Sequence, residues 1–342
     1  MNSRIITLIF SLIISINLSA KISTLSICIG EYPSESGWNA LGADNDARLI
    51  KGIYPQATIL SNSNATHKAI LKSLNDLTSN STEGDTVIVH FSGHGQQIFS
   101  ANSRDEVDLV DEALVPYDAD KRKSSTYDGS SHLTDDTFGL HIAQLRKKVG
   151  NNGLVIAVID ACHSDSMDKG EADSNDSYRG TDEIFGAESL SQDSIDSLRE
   201  LYYTKDESQV AMSEGMSNVI FISACGTHQR NYEIVEDGTP YGSLTYYFCK
   251  TVEKEGLSNI HDFLSTLFED MTSDKVMKFH GQNPNIRNTI GWTAPESDSY
   301  MPPVPESTSS DGDSENTYWW FVTGAFAVLL LSVVVLCKKR RK

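Results

Sequence analysis

Positive charge is scarce in this 342-residue chain: 28 Lys and Arg stand against 47 Asp and Glu, a net charge of −19. That balance argues against nucleic-acid binding, which needs basic surface. It suits cationic partners or a metal, and it favours solubility. Cysteine is also sparse. Cys337 lies in an apolar run near the end, and Cys28, Cys162, Cys225 and Cys249 show no CxxC spacing. A zinc pattern and a dense disulfide framework are thereby excluded. Long hydrophobic runs are confined to the two ends, and no internal repeat stands out.

The first of those runs, Ile5 to Leu18, follows the single basic residue Arg4 and precedes small residues. It reads as a secretory signal peptide over 1–20. The second, 318–337, is long enough to span a bilayer and opens on Tyr318, Trp319 and Trp320, an interfacial aromatic belt. The tail "KKRRK" (338–342) should stay cytosolic, which predicts a single-pass type I protein with its body extracytoplasmic. Residues 294–317 are rich in Pro, Ser and acids and read as a disordered tether. Asn64, Asn80 and Asn175 each open a glycosylation acceptor.

The body, 21–293, alternates strands and helices. Apolar, β-branched runs at 21–30, 57–60, 85–91, 153–162 and 217–225 read as strands. Stretches at 41–54, 67–77, 135–149, 241–256 and 259–273 read as helices. Such alternation predicts an α/β domain whose parallel sheet is covered on both faces. Residues 163–210 break the pattern and read as a long, exposed acidic loop.

Two of the strands end in reactive chemistry. "DTVIVHFSGHGQQ" (85–97) closes on a histidine between glycines, and "LVIAVIDACHS" (154–164) closes on Asp160, Cys162 and His163. Carboxyl ends of parallel strands face one edge, where ligands and catalysis sit. His94 and Cys162 can therefore meet, and an imidazole beside a thiol can make it a nucleophile for acyl transfer. His163 is a rival base, but neighbours on an extended segment point apart. Cys162 also has a plainer reading as a buried core thiol.

The segments "HFSGHGQQ", "DEALVPYDAD" and "VIDACHSDSM", with "ADNDARLI", "SAC", "GSLTYYF" and "GQNPNI" in that order, resemble the metacaspases, a caspase-like group of cysteine peptidases. The resemblance covers nearly all of 22–288. It implies a caspase-like αβα sandwich on a mostly parallel sheet of about six strands, with His94 as general base and Cys162 as nucleophile. It also implies cleavage after Arg or Lys, whose side chain would be held at Asp46, Ser92 and Asp160. A cation does need carboxylates in a desolvated pocket. Cleavage after Asp would need arginines there, and these segments offer only Arg48. Ala43 departs from the pattern, standing where relatives often have cysteine. Several relatives are calcium-activated, which matches Ca2+ to Asp111, Asp135, Asp136 and Asp168; the pair 135–136 also suits a helix start.

The 163–210 loop occupies the place where relatives can carry a self-cleavage site. Arg179-Gly180 and Lys169-Gly170 are candidates, with Arg179 the expected cut. The expected partners are peptide or protein substrates and the membrane, and a monomer is expected. Two other arrangements share this layout. One is a lumenal asparaginyl peptidase or lipid-anchor transamidase; the other is a tethered binding module or calcium-binding surface glycoprotein that does not cut.

Overall fold

A computed structural model of the chain describes residues 20–99, 110–162, 177–203, 213–226 and 229–295. Apart from residues 20, 294 and 295, the expected signal peptide, tether, membrane span and basic tail lie outside these residues, as do Asp168, His163 and Asn175. Among the described residues no helix is long and apolar enough to cross a membrane.

Strands β1 (Ile22–Cys28), β2 (Thr58–Ser61), β3 (Thr86–Ser92), β7 (Leu154–Asp160), β8 (Asn218–Ser223) and β11 (Asn285–Asn288) form the central sheet. Their spatial order is β11-β8-β7-β3-β1-β2, and only β11 runs antiparallel. The two strands at the middle of the sheet, β3 and β7, are near-continuous apolar runs because both of their faces are covered.

Alternation along each strand splits the core into two layers. Val87, Val89 and Phe91 pack with Val155 and Ala157 beneath α2 (His67–Asn80) and α3 (Asp135–Val149), through Ile70, Leu74, Ile142 and Leu145. On the other face Ile88, Ile156, Val158, Ile220 and Ile222 meet α1 (Ala43–Ile53), α5 (Ser243–Glu255) and α6 (Ile260–Ser273), through Ile50, Leu244, Phe248 and Phe263. This is the αβα sandwich expected from the alternation.

Two small sheets stand over the carboxyl edge. One joins β4 (Gly95–Phe99), β5 (Val110–Leu114) and β6 (Leu133–Thr134). The other is the hairpin of β9 (Glu233–Glu236) and β10 (Thr239–Gly242), turned at Asp237 and Gly238, both with positive φ.

The loop expected over 163–210 is exposed only in part. Arg179, Thr181, Ile184, Phe185, Ala187 and Leu198 are buried, and Gln192–Tyr203 forms helix α4. Phe185 bridges to Ile98 on β4, so apolar residues spread thinly through a polar stretch still found a surface to pack against.

Candidate active site

The strand ends line up as the topology requires. Ser92 at the end of β3 stands opposite Asp160 at the end of β7 and opposite Cys28 on β1. His94 and Cys162 each follow two residues later, on neighbouring strands.

His94 is buried and stacks on Trp38, with ring centroids 4.7 Å apart. Its Nε2 lies 2.9 Å from the carbonyl oxygen of Asn39. A carbonyl only accepts, so Nε2 carries the proton and Nδ1 keeps its lone pair. Nδ1 has no hydrogen-bond partner among the described residues. Burial lowers the imidazole pKa to about 3, so the ring is neutral, with a base nitrogen available.

The Cys162 thiol is buried and donates to the Gln229 carbonyl at 3.4 Å. The Cys225 thiol hydrogen-bonds it from two residues beyond β8, and that contact together with burial holds Cys225 protonated. The backbone N–H of Cys162 donates to the Arg179 carbonyl at 2.9 Å, and the N–H of Gly95 donates to the same oxygen at 3.2 Å. Two converging amides beside a thiol form an oxyanion hole.

Arg179 fills the adjoining pocket with no side-chain exposure. Its Nη2 reaches Asp46 Oδ2 and Glu233 Oε1, each at 2.8 Å, and its Nη1 donates to Ser92 Oγ at 2.6 Å. Asp160 Oδ1 lies 3.9 Å from Nη1. Ser92 passes the contact on, donating to Asp46 Oδ2 at 2.7 Å. Burial alone would lower the Arg179 pKa, but Asp46, Asp160 and Glu233 outweigh it and keep the guanidinium charged. Burial also raises Asp46 to about 6, against the pull of Arg179. A carboxylate-lined cage buried from solvent is thus tolerable only with a cation inside it.

The pocket walls are held from behind. Asp160 accepts from Asn231 Nδ2 at 2.8 Å and from the Thr245 N–H and Oγ1 at 2.7 and 2.6 Å. Because the Thr245 hydroxyl donates to Asp160, it accepts from His90 Nε2–H at 2.9 Å, which leaves His90 Nδ1 to accept from Ser26 at 2.8 Å. Burial lowers His90 to about 4, so this chain of groups adds no charge beneath the carboxylates. Gly242 forms the pocket floor: a Cβ there would sit 2.1 Å from Asp160 Oδ2 and 2.7 Å from Arg179 Cζ.

His94, Cys162, Asp46, Ser92, Asp160 and Arg179 therefore share one site. Arg48 is exposed on α1 and takes no part. Sequence reasoning missed Glu233, the Gly95 amide and Gly242.

Three of the acids expected to bind calcium converge nearby, at β5 and the start of α3. Asp135 is raised to about 8 by close packing, Glu112, Asp111 and Asp136, although its side chain still reaches solvent. An all-carboxylate set under mutual repulsion fits a hard cation. Among the described residues, however, no three such side chains are set closely enough to cage a metal as they stand.

Residues 24–291 match the caspase domain. Metacaspase-4 of Arabidopsis thaliana is 30% identical over 107 residues, covering 31% of this chain and 22% of that protein. Metacaspase-5 of Trypanosoma brucei brucei is 35% identical over 102 residues, covering 30% and 18%. Metacaspase-1B of Aspergillus oryzae is 23% identical over 265 residues, covering 71% and 60%. The chain thus spans less than two thirds of each of these relatives. Among solved structures, protein GSU0716 from Geobacter sulfurreducens superposes with a TM-score of 0.52 at 22% identity, covering 81% of this chain and 95% of that one. With its domain match spanning nearly all of the described body, and a histidine and a cysteine meeting at the sheet edge, the chain belongs to the caspase-domain family of cysteine peptidases.

Proposed function

We propose that this protein is an endopeptidase that hydrolyses the bond after Arg or Lys and cuts itself between Arg179 and Gly180. One observation carries the reading: Arg179 lies with its guanidinium among three carboxylates and its carbonyl oxygen on two amides beside Cys162. A basic residue is recognised and its carbonyl polarised in the same pose.

The chemistry follows from these groups. Cys162 gives its proton to His94 Nδ1, and the sulfur adds to the carbonyl carbon. The Cys162 and Gly95 amides hold the developing oxyanion. His94 returns the proton to the departing amine, leaving a thioester. Water then adds with His94 again as base, releasing the carboxylate product and restoring the thiol. Uncharged His94 is the form needed for the first step, and the Asn39 carbonyl fixes its tautomer.

Calcium, if bound, would be held by Asp111, Asp135 and Asp136 with Asp168. It would neutralise these acids and secure β5 against α3. The basic tail and aromatic-flanked 318–337 span support an extracytoplasmic body tethered to the membrane.

The test is hydrolysis of fluorogenic peptides ending in Arg, Lys, Asn or Asp by the full chain, with calcium or chelator, beside Cys162→Ala. Cleavage after Arg or Lys that vanishes in the variant is expected. Cleavage after Asn, or none at all by folded protein, would overturn the reading.

A further inference from the structure

Residues flanking Arg179 are bound as specifically as Arg179 itself. The Arg179 N–H donates to the Asn231 carbonyl at 2.9 Å, and the Glu233 N–H donates to the Ser177 carbonyl at 3.0 Å. With the Tyr178–Tyr232 bridge, residues 177–179 add an antiparallel strand to the chain leading into β9. This is how an extended peptide docks on an open edge, with the main chain giving affinity and alternate side chains giving choice.

Three contacts around this strand are selective. The Tyr178 ring lies under the Arg230 guanidinium, 4.8 Å from its centroid, and faces Tyr232 at 6.3 Å. Gly180 has no room for a side chain: a Cβ would lie 2.6 Å from the Cys162 carbonyl oxygen and 3.1 Å from Cys162 Cβ. Those are backbone and near-backbone atoms of the nucleophile itself, so they cannot swing aside. Asp182, the third residue after the bond, pairs with Arg230 at 2.7 Å and accepts from the Tyr178 hydroxyl at 3.3 Å. Arg230 thus reads positions on both sides of the scissile bond at once. Its own pKa is lowered by burial but raised further by Asp182 and Tyr178, for a net rise.

We infer that residues 177–182 lie in the site as a substrate does, and that the site selects peptides with an aromatic residue before the basic one, glycine directly after it and an acid at the third position beyond the bond. Arg230 and Tyr232 are the specificity-determining residues, Cys162 excludes side chains after the cut, and the inference rests on the peptidase reading above. The substrate class is therefore narrower than basic peptides: exposed strands of the pattern aromatic-Arg-Gly-any-acid.

The test uses a peptide of the chain's own sequence, SYRGTDEI, and three variants: Tyr to Ala, Gly to Ala and Asp to Asn. Their kcat/KM is measured with the full chain and with Arg230→Gln. The Gly to Ala change should lower kcat/KM by about tenfold or more, since overlap with fixed atoms is not relieved. The Asp to Asn change should cost about threefold in the wild type and nothing in Arg230→Gln, because a part-exposed ion pair is modest. Equal rates on all four peptides would overturn the inference and leave the peptidase reading standing. Failure to cut any of them would overturn both. Anisotropy of labelled peptides on the Cys162→Ala, Arg179→Ala chain gives a second readout without catalysis: equal affinities there would likewise sink the inference.

Discussion

Replacing Arg179 by alanine in a Cys162→Ala background, where no cut intervenes, tests the caged guanidinium directly. The substitution strips the cation from Asp46, Glu233 and Asp160. Removing one member of a buried charge cluster costs about 3–5 kcal/mol, because the remaining charges stay desolvated. At roughly 2–4 °C per kcal/mol for a domain of this class, the melting temperature should fall on the order of 10 °C at neutral pH. The sign of the pH dependence is fixed as well. Asp46 already titrates near 6, above its ordinary value, and losing Arg179 raises it further. A carboxyl raised in the folded state is relieved by protonation, so the deficit should shrink as pH falls toward about 6 from above, and level off below it where the parent's Asp46 protonates too. Agmatine, the arginine skeleton without its carboxyl group, should refill the cage and add about 2.7 kcal/mol at a hundred times its Kd. Differential scanning fluorimetry reads all three effects. A melting temperature within about 1 °C of the parent, indifferent to pH and to agmatine, would refute the buried cage.

Gly242→Ala puts a methyl where the guanidinium lies, and kcat/KM for arginyl peptides should drop by about a hundredfold or more. Circular dichroism should show the fold retained. Wild-type protein should yield a new amino terminus at Gly180 on mass mapping, and Cys162→Ala should not; a Gly180 terminus in the variant would place the cut with another peptidase. Hydrolysis of arginyl peptides should decline below about pH 6 as Asp46 takes up a proton, and a flat rate down to about pH 4 would show that Asp46 need not be ionised.

The parts of the site visible in the sequence are those tied to strand ends. His94 and Cys162 follow apolar runs whose parallel pairing puts their tips at one edge, so the two can be matched from the sequence. Asp46, Ser92 and Asp160 came with the family resemblance rather than from spacing. Glu233 did not, because it sits on a short amphipathic strand in an irregular polar region. Asp237-Gly238 between two such runs is a hairpin signal, and would have placed Glu233 on a strand without saying what it faces. The 163–210 stretch misled because its composition is that of a solvated loop, whereas burial there is set by a few residues such as Phe185 and by a charge that is paid out in ion pairs. No local pattern reveals that Arg179 has three carboxylate partners far away in sequence.

Arg179 is covalently joined to the pocket it fills. A ligand on a short tether presents itself at an effective concentration in the millimolar range, however dilute the protein. Free substrates at micromolar levels would compete poorly against it. Severing the Arg179–Gly180 bond removes one arm of that tether and gives the pocket a carboxylate terminus in place of an amide. Arg179 would stay tethered through the residues before it, so its departure would remain a unimolecular step, but one opposed by a single arm instead of two. Each molecule would carry a memory, written once in its backbone, of whether its site has ever been open to others.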